Sequence, residues 1–252
     1  STKIIILGNE QGIQNFCDLN NFIYRNDFKK FIKFPYISEM LRIANEYADN
    51  DDVIIWCNSD IIFTNNLLDT ILSFKNKINH KDYLLVGQRL DWDNYQQIEL
   101  NETNLNKIIN DGNLHVPCGI DYLIHSKTSL INYFDHKLSM PALIADQRIL
   151  NCALKRKIYT CNCTNTICAI HHNTGIQNRE NPDFKKVKDN NSKTYGGWGN
   201  IKQCPFISYY NNKNIEFKEV ADENWYSRRL DPKYKLLLKQ EEKYIKNNYL
   251  FN

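Results

Sequence analysis

The sequence predicts an α/β fold, a single domain over residues 1–252 in which helices flank a mostly parallel central sheet. Three observations predict it. Short apolar runs rich in β-branched residues recur along the chain, stretches with apolar residues at helical spacing lie between them, and polar turn residues separate the two kinds. Strands that alternate with helices run parallel, because a chain that crosses a sheet face through a helix re-enters the sheet in its original direction.

The first element is Thr2-Lys3-Ile4-Ile5-Ile6-Leu7-Gly8-Asn9, an apolar run closed by Gly-Asn and expected to be a strand buried on both faces that opens the sheet. Pro35 suits a first helical turn, and Ile37, Met40, Leu41, Ala44, Tyr47 and Ala48 then recur at helical spacing up to the turn residues Asn50-Asp51-Asp52. Val53-Ile54-Ile55-Trp56-Cys57 reads as a second fully buried strand. Leu67, Leu68, Ile71, Leu72 and Phe74 mark a second helix, and Tyr83-Leu84-Leu85-Val86-Gly87 a third strand. Further strands are expected at 118–125, 157–161 and 166–170, with a helix at 146–156. Residues 173–200 are polar and without periodicity. They read as a loop, and Gly196-Gly197-Trp198-Gly199 within it as either plain loop or a lid whose aromatic stacks on a sugar. A lysine- and glutamate-rich helix spans 234–249, its outer face solvated or, in principle, laid on an anionic membrane.

A hydrophobic fraction of 42% with 24% charged residues is enough to bury a core and keeps the chain out of the disordered class. The net charge of +3 is too weak to imply a nucleic-acid or membrane partner by itself. No window holds the ~18 apolar residues of a membrane span, so a soluble protein is expected; its compartment is open, with the cytoplasm favoured because no basic stretch followed by an apolar run opens the chain. The eight cysteines are irregularly spaced, which favours free thiols over a disulfide framework.

The most informative segment is Ile54-Ile55-Trp56-Cys57-Asn58-Ser59-Asp60-Ile61-Ile62. Ligands of open α/β sheets bind beyond the carboxyl ends of the strands, so Asp60 points into the expected site. A carboxylate there can share a divalent cation with diphosphate oxygens and offset the charge of a departing nucleotide. Taken without its neighbours, the same triplet is an ordinary turn.

The neighbours supply a resemblance. The chain resembles the GT-A glycosyltransferases, whose metal motif is an Asp-any-Asp triplet at this position of a Rossmann-like sheet. It is similar in particular to a group in which the triplet reads Asn-Ser-Asp-Ile. In that group a strand like Leu84-Leu85-Val86-Gly87-Gln88-Arg89 follows, then a segment like Gly119-Ile120-Asp121-Tyr122-Leu123-Ile124, a helix-initial Asp matched by Asp146, and Ala169-Ile170-His171. The elements keep that order over residues 34–173.

The resemblance implies transfer of a sugar from a nucleotide-diphosphate donor to a glycan, protein or small-molecule acceptor, with Mn²⁺ or Mg²⁺ as cofactor. It implies Asp60 and His171 as metal ligands, an imidazole suiting Mn²⁺ better than Mg²⁺. Donor contacts are expected from Gly8, Asn9, Asn58, Ser59, Asp60 and Arg89. Asn58 replaces an Asp of the commoner triplet, and an amide brings no charge, so hydrogen bonds to ribose or sugar hydroxyls are expected of it. Asp146 and Asp121 are the catalytic candidates. Asp146 either stays ionised at the positive end of its helix, to take the acceptor's proton in an inverting transfer or to stabilise positive charge on the sugar ring in a retaining one, or only caps that helix. Asp91-Trp92-Asp93 is a solvated turn or a substrate-contacting loop. On this reading residues 1–110 form the nucleotide-sugar half, 111–210 the acceptor half and 211–252 a helical extension.

Two rivals remain. Cys161, Cys163, Cys168 and His171 carry zinc-ligating atoms and would make a zinc-binding interaction module, although Cys-any-Cys is tighter than the usual gap. A nucleotidyltransferase uses similar metal and phosphate chemistry. Gly8-Asn9-Glu10-Gln11-Gly12 fits neither the dinucleotide nor the P-loop glycine pattern, which argues against those enzymes.

Overall fold

The structure, a computed structural model, describes residues 2–78, 82–93, 99–127, 138–140, 145–173, 182–193, 199–221 and 232–250. Its strands are β1 (Ile5–Leu7), β2 (Ile23–Arg25), β3 (Lys30–Phe31), β4 (Phe34–Pro35), β5 (Val53–Cys57), β6 (Ile61–Phe63), β7 (Tyr83–Val86), β8 (Leu90–Asp93), β9 (Asn113–Leu114), β10 (Tyr122–Ser126), β11 (Tyr159–Asn162), β12 (Ala169–Asn173), β13 (Phe206–Asn211) and β14 (Asn214–Glu219). The helices are α1 (Ile13–Asn20), α2 (Ile37–Tyr47), α3 (Asn66–Lys77), α4 (Glu102–Asp111), α5 (Ala145–Lys155), α6 (Pro182–Ser192) and α7 (Pro232–Tyr249). The α/β class is as expected.

The large sheet has the order β14-β13-β11-β7-β10-β5, and a second sheet the order β6-β12-β8-β9. Side chains of β7 alternate between its faces. Leu84 and Val86 pack with Ile37 and Leu41 of α2 and with Ile149 and Leu150 of α5. Leu85 turns to the other face, with Ile71 and Phe74 of α3. Phe74 is ringed by Tyr83, Tyr159 and Phe217 at centroid distances of 4.8, 5.5 and 5.5 Å, which ties α3 to the β13–β14 hairpin. A third cluster joins Leu90 and Trp92 of β8 to Ile108 and Ile109 of α4 and to Ile245 and Tyr249 of α7. Full burial of each such side chain stabilises the fold by roughly 1.5–3 kcal/mol. Among the described residues no helix is long and apolar enough to cross a membrane.

Several expectations need correction. The sheet is mixed rather than mostly parallel: β11 runs parallel to β7 and β13, but β10 is antiparallel to both β7 and β5, and β14 to β13. β5 and β7, joined through α3, run parallel as the strand–helix–strand pattern predicts. Between them lies β10, which arrives from the second sheet at the carboxyl end of β7 and must run back. β1 does not open the large sheet; it pairs in parallel with β2 in a sheet of two, and all three of its residues are partly exposed. β5 is an edge strand of the large sheet and not fully buried, with Ile55 37% exposed. The polar stretch 173–200 holds α6, whose inward contacts are few, Val187 and Asn191 being its buried residues. The strand expected from residue 118 starts at Tyr122, and residues 118–121 are irregular. Beyond residue 211 the chain forms β14 before α7.

Candidate functional site

Four connections cross from one sheet to the other along a single seam. Residues 58–60 lead from β5 into β6, 87–89 from β7 into β8, 115–121 from β9 into β10, and 163–168 from β11 into β12. Asp60, Arg89, His115 and Asp121 sit in three of these connections, Asp91 and His171 lie within β8 and β12, and Asp146 is in the first turn of α5. The seam lies at the carboxyl ends of β5, β7 and β11, where the peptide groups leave the large sheet and side chains of separate strands converge.

Hydrogen bonds fix the backbone there. The N–H of Asn58 donates to the carbonyl of Asp121 at 3.2 Å, and that of His172 to the carbonyl of Asp60 at 2.9 Å. On this frame the side chains form one chain of contacts. His171 Nε2 lies 3.1 Å from Asp60 Oδ2. Its Nδ1 lies 3.2 Å from Asp91 Oδ1, near enough for an ion pair but not aligned as a hydrogen bond. Asp91 also binds His115 Nδ1 at 2.5 Å and Arg89 Nε at 2.7 Å. The Arg89 guanidinium reaches on to Asp121, whose other oxygen accepts from the Asn58 amide at 2.7 Å. Gly119 makes room for this packing, since a Cβ there would run into the His115 ring.

The electrostatics follow from that geometry. The Asp60 and Asp91 carboxylates raise His171 from 6.5 to about 9, against the effect of burial. Burial alone would raise Asp60, but the hydrogen bond and charge of His171 outweigh it and hold the carboxyl below its usual range. Burial likewise opposes ionisation of Asp91, and is overcome by His115, His171 and Arg89, so that Asp91 stays strongly acidic. Asp146 behaves differently. Its residue is partly exposed, but the carboxyl is densely surrounded by protein, and burial followed by the charge of Asp121 raises it from 3.8 to about 7.

Asp60, Asn58, Ser59, Arg89, Asp121 and His171 therefore converge as the sequence suggests, with Ser59 exposed beside Asp60. Asp146 adjoins them through its Oδ2, which accepts the Ile120 N–H at 3.3 Å. One N–H of the Asn58 amide is engaged by Asp121, which leaves its other N–H and its carbonyl oxygen for a sugar hydroxyl. Against expectation, the Asp146 carboxyl is raised and not lowered, because desolvation outweighs the helix-terminal hydrogen bonds. Gly8 and Asn9 bond elsewhere, Gly8 N–H to the Arg25 carbonyl beside the β1–β2 pair and Asn9 N–H to the Glu10 carboxylate. His115, and the position of Asp91 at the hub, were not foreseen. His115 meets Asp91 through the β8–β9 pairing and His171 meets it through the β8–β12 pairing, contacts that leave no spacing signal, and Asp91-Trp92-Asp93 is part of strand β8 rather than a turn or loop.

Two octahedral ligands on an ion with bonds of about 2.1 Å stand roughly 3 Å apart, which matches Asp60 Oδ2 and His171 Nε2. Among the described residues no group of three or more His, Cys, Asp or Glu is arranged to hold a metal. A cation at the seam would thus take two protein ligands, leaving other positions to ligand oxygens and water. The zinc rival loses His171, which faces Asp60. Cys161 and Cys163, with Sγ atoms 3.8 Å apart, and Cys168 belong to the core. Gly196, Gly197 and Trp198 lie outside the described residues. Two surface hollows of about 300 Å³, one between α3 and the β13–β14 hairpin and one beside β11, lie away from the seam. Compared with known proteins, the chain matches no family model, no curated protein and no solved structure.

Proposed function

We propose that the chain is a glycosyltransferase of the GT-A kind, using a nucleotide-sugar donor held through Mn²⁺ or Mg²⁺ by Asp60 and His171. The observation that carries this reading is the Asp60–His171 pair, spaced as neighbouring ligands of one ion, at the seam where strand ends from two sheets meet. When bound, the cation would neutralise diphosphate charge as the nucleotide leaves. Asp91, anchored by His115 and Arg89, holds the far side of the His171 ring. Asp121 is oriented by Asn58 and Arg89 to accept hydrogen bonds from hydroxyl groups of a sugar. Asp146, at about 7, is balanced between accepting and releasing a proton at neutral pH, which suits removal of the acceptor hydroxyl's proton.

A panel of nucleotide sugars screened by thermal melting with and without Mn²⁺ tests the binding part. A donor at about a hundred times its Kd stabilises the protein by roughly 2.7 kcal/mol, a shift of several degrees in Tm. Product analysis then tests the chemistry: free nucleoside diphosphate supports sugar transfer, whereas released pyrophosphate identifies a nucleotidyltransferase. A protein that no nucleotide sugar stabilises in the presence of Mn²⁺ is not this enzyme.

A further inference from the structure

Helix α7 has two unlike sides. Toward the body, Ile245 and Tyr249 are buried in the cluster with α4 and β8. Both of its acidic residues are used on that side or next to it: Glu241 pairs with Lys202 at 2.6 Å, and Glu242 accepts the Leu114 N–H at 2.9 Å. Lys246 donates to the carbonyls of Asn110 and Gly112 at 2.6 and 2.7 Å. Toward solvent, Leu236, Leu237 and Tyr244 are 59%, 54% and 51% exposed, with exposed Lys239 and Lys243 among them. At about 100° per residue, positions 236, 237, 239, 240, 243, 244 and 247 share one arc of roughly 160°. That arc holds large apolar groups and ammonium groups and no carboxylate of the helix.

Large apolar side chains on one exposed face call for a partner, and the charge says which. Lysine is depleted at protein–protein interfaces, where arginine is enriched, and α7 contains no arginine. Lysine stems instead lie along apolar surface while their ammonium groups reach phosphates, and tyrosine favours the boundary between headgroups and acyl chains. We propose that the outward face of α7 docks the protein on an anionic lipid bilayer. The helix lies in the headgroup plane, Leu236, Leu237 and Tyr244 at the acyl boundary and Lys239 and Lys243 on anionic headgroups. Contact of this kind is peripheral and needs no membrane-spanning segment.

Co-sedimentation with large vesicles tests it, using phosphatidylcholine alone against phosphatidylcholine with about a third phosphatidylserine, at low and high salt. The intact chain is expected to sediment with the anionic vesicles, to stay behind with the neutral ones, and to be released by salt. Each lysine near an anionic surface is worth roughly fivefold in affinity, so Lys239→Glu/Lys243→Glu should weaken binding by at least about twenty-five-fold. Leu236→Ser/Leu237→Ser, which changes no charge, should weaken it as well. Lys185→Glu/Lys188→Glu on α6 should leave it unchanged. Melting curves establish that these exposed substitutions leave the fold intact. The proposal is overturned if the intact chain ignores anionic vesicles, binds neutral ones equally, or keeps its binding in both α7 variants.

Discussion

His171 Nε2 stands 3.1 Å from Asp60 Oδ2 although 111 residues separate them in the chain. Sheet register makes the contact: β12 runs antiparallel to β6 with His171 opposite Ile61, the residue after Asp60. A slip of one residue would present Ile170 or His172 instead. His172 faces the other way and stacks on Trp92, with ring centroids 5.0 Å apart.

Replacing either member of the pair should therefore differ sharply from replacing the neighbour. Asp60→Ala and His171→Ala are each expected to lower Mn²⁺ affinity, measured by electron paramagnetic resonance with a nucleoside diphosphate present, by at least about tenfold. His172→Ala should leave that affinity intact and cost about 1 kcal/mol of stability through the lost ring stack. Equal, small effects of His171→Ala and His172→Ala on Mn²⁺ would remove the ligand assignment.

Metal binding should also depend on pH in a defined direction. His171 titrates near 9, so at neutral pH its ring carries the proton that a cation must displace. Between pH 7 and about 9 Mn²⁺ affinity should rise roughly tenfold per pH unit, then level off. Stability of the metal-free protein should move the opposite way. A raised histidine pKa contributes stability that is complete below 6.5 and is lost as pH rises through about 9. Calorimetric titrations in buffers of different ionisation heat measure the released proton, and a flat affinity profile from pH 7 to 9 would contradict the protonated pair.

Much of this site was legible because it follows strand ends. Asp60 is readable from the apolar run before it, whereas His171, inside β12, is suggested by the family resemblance of Ala169-Ile170-His171 and not by any local pattern. Helices α2, α3 and α5 announce themselves by apolar spacing, since each packs one stripe on the sheet. What stayed hidden depends on pairing between distant segments. Two-residue β9 has no pattern to detect, yet its pairing with β8 sets the position of His115 against Asp91. Exposure of β5 was equally hidden, since Val-Ile-Ile-Trp-Cys reads the same at an edge as in the middle of a sheet. The raised Asp146 carboxyl reflects burial among distant segments and the charge of Asp121, which local helix chemistry does not contain.

The His115 support can be tested through the glycine beneath it. A Cβ at Gly119 would meet the His115 ring, so Gly119→Ala should displace the ring and cost on the order of 1–3 kcal/mol in denaturant unfolding. Removing the ring should remove the clash. Added to His115→Ala, the same Gly119→Ala change is expected to cost less than about 0.5 kcal/mol, so the double-mutant cycle departs from additivity. Additive costs would mean that Gly119 is needed for its backbone and not for the ring.

Asp146 carries the prediction that separates catalysis from helix capping, because its two roles give opposite signs. The folded carboxyl titrates near 7 and the unfolded one near 3.8, so between these values the folded chain holds a proton that the unfolded chain has released. Stability must then fall as pH rises through that window, and above 7 the ionised carboxyl costs the fold at most about 4 kcal/mol. Asp146→Asn removes this cost. The variant should match the parent in stability near pH 4 and exceed it at pH 8, as read from urea midpoints at the two values. A carboxylate that served only as a cap would instead lose about 1 kcal/mol on replacement by Ala at any pH where it is ionised. As the base that takes the acceptor's proton, Asp146 must be ionised to act. Turnover of the parent should rise about tenfold per pH unit below 7 and level off above it, while Asp146→Asn lowers turnover by about a hundredfold or more and leaves Mn²⁺ affinity unchanged. An Asn variant more stable at pH 8 and still fully active would confirm the buried carboxyl and deny it the chemistry. The proton would then have to pass to Asp121, whose oxygens already accept from Asn58 and Arg89.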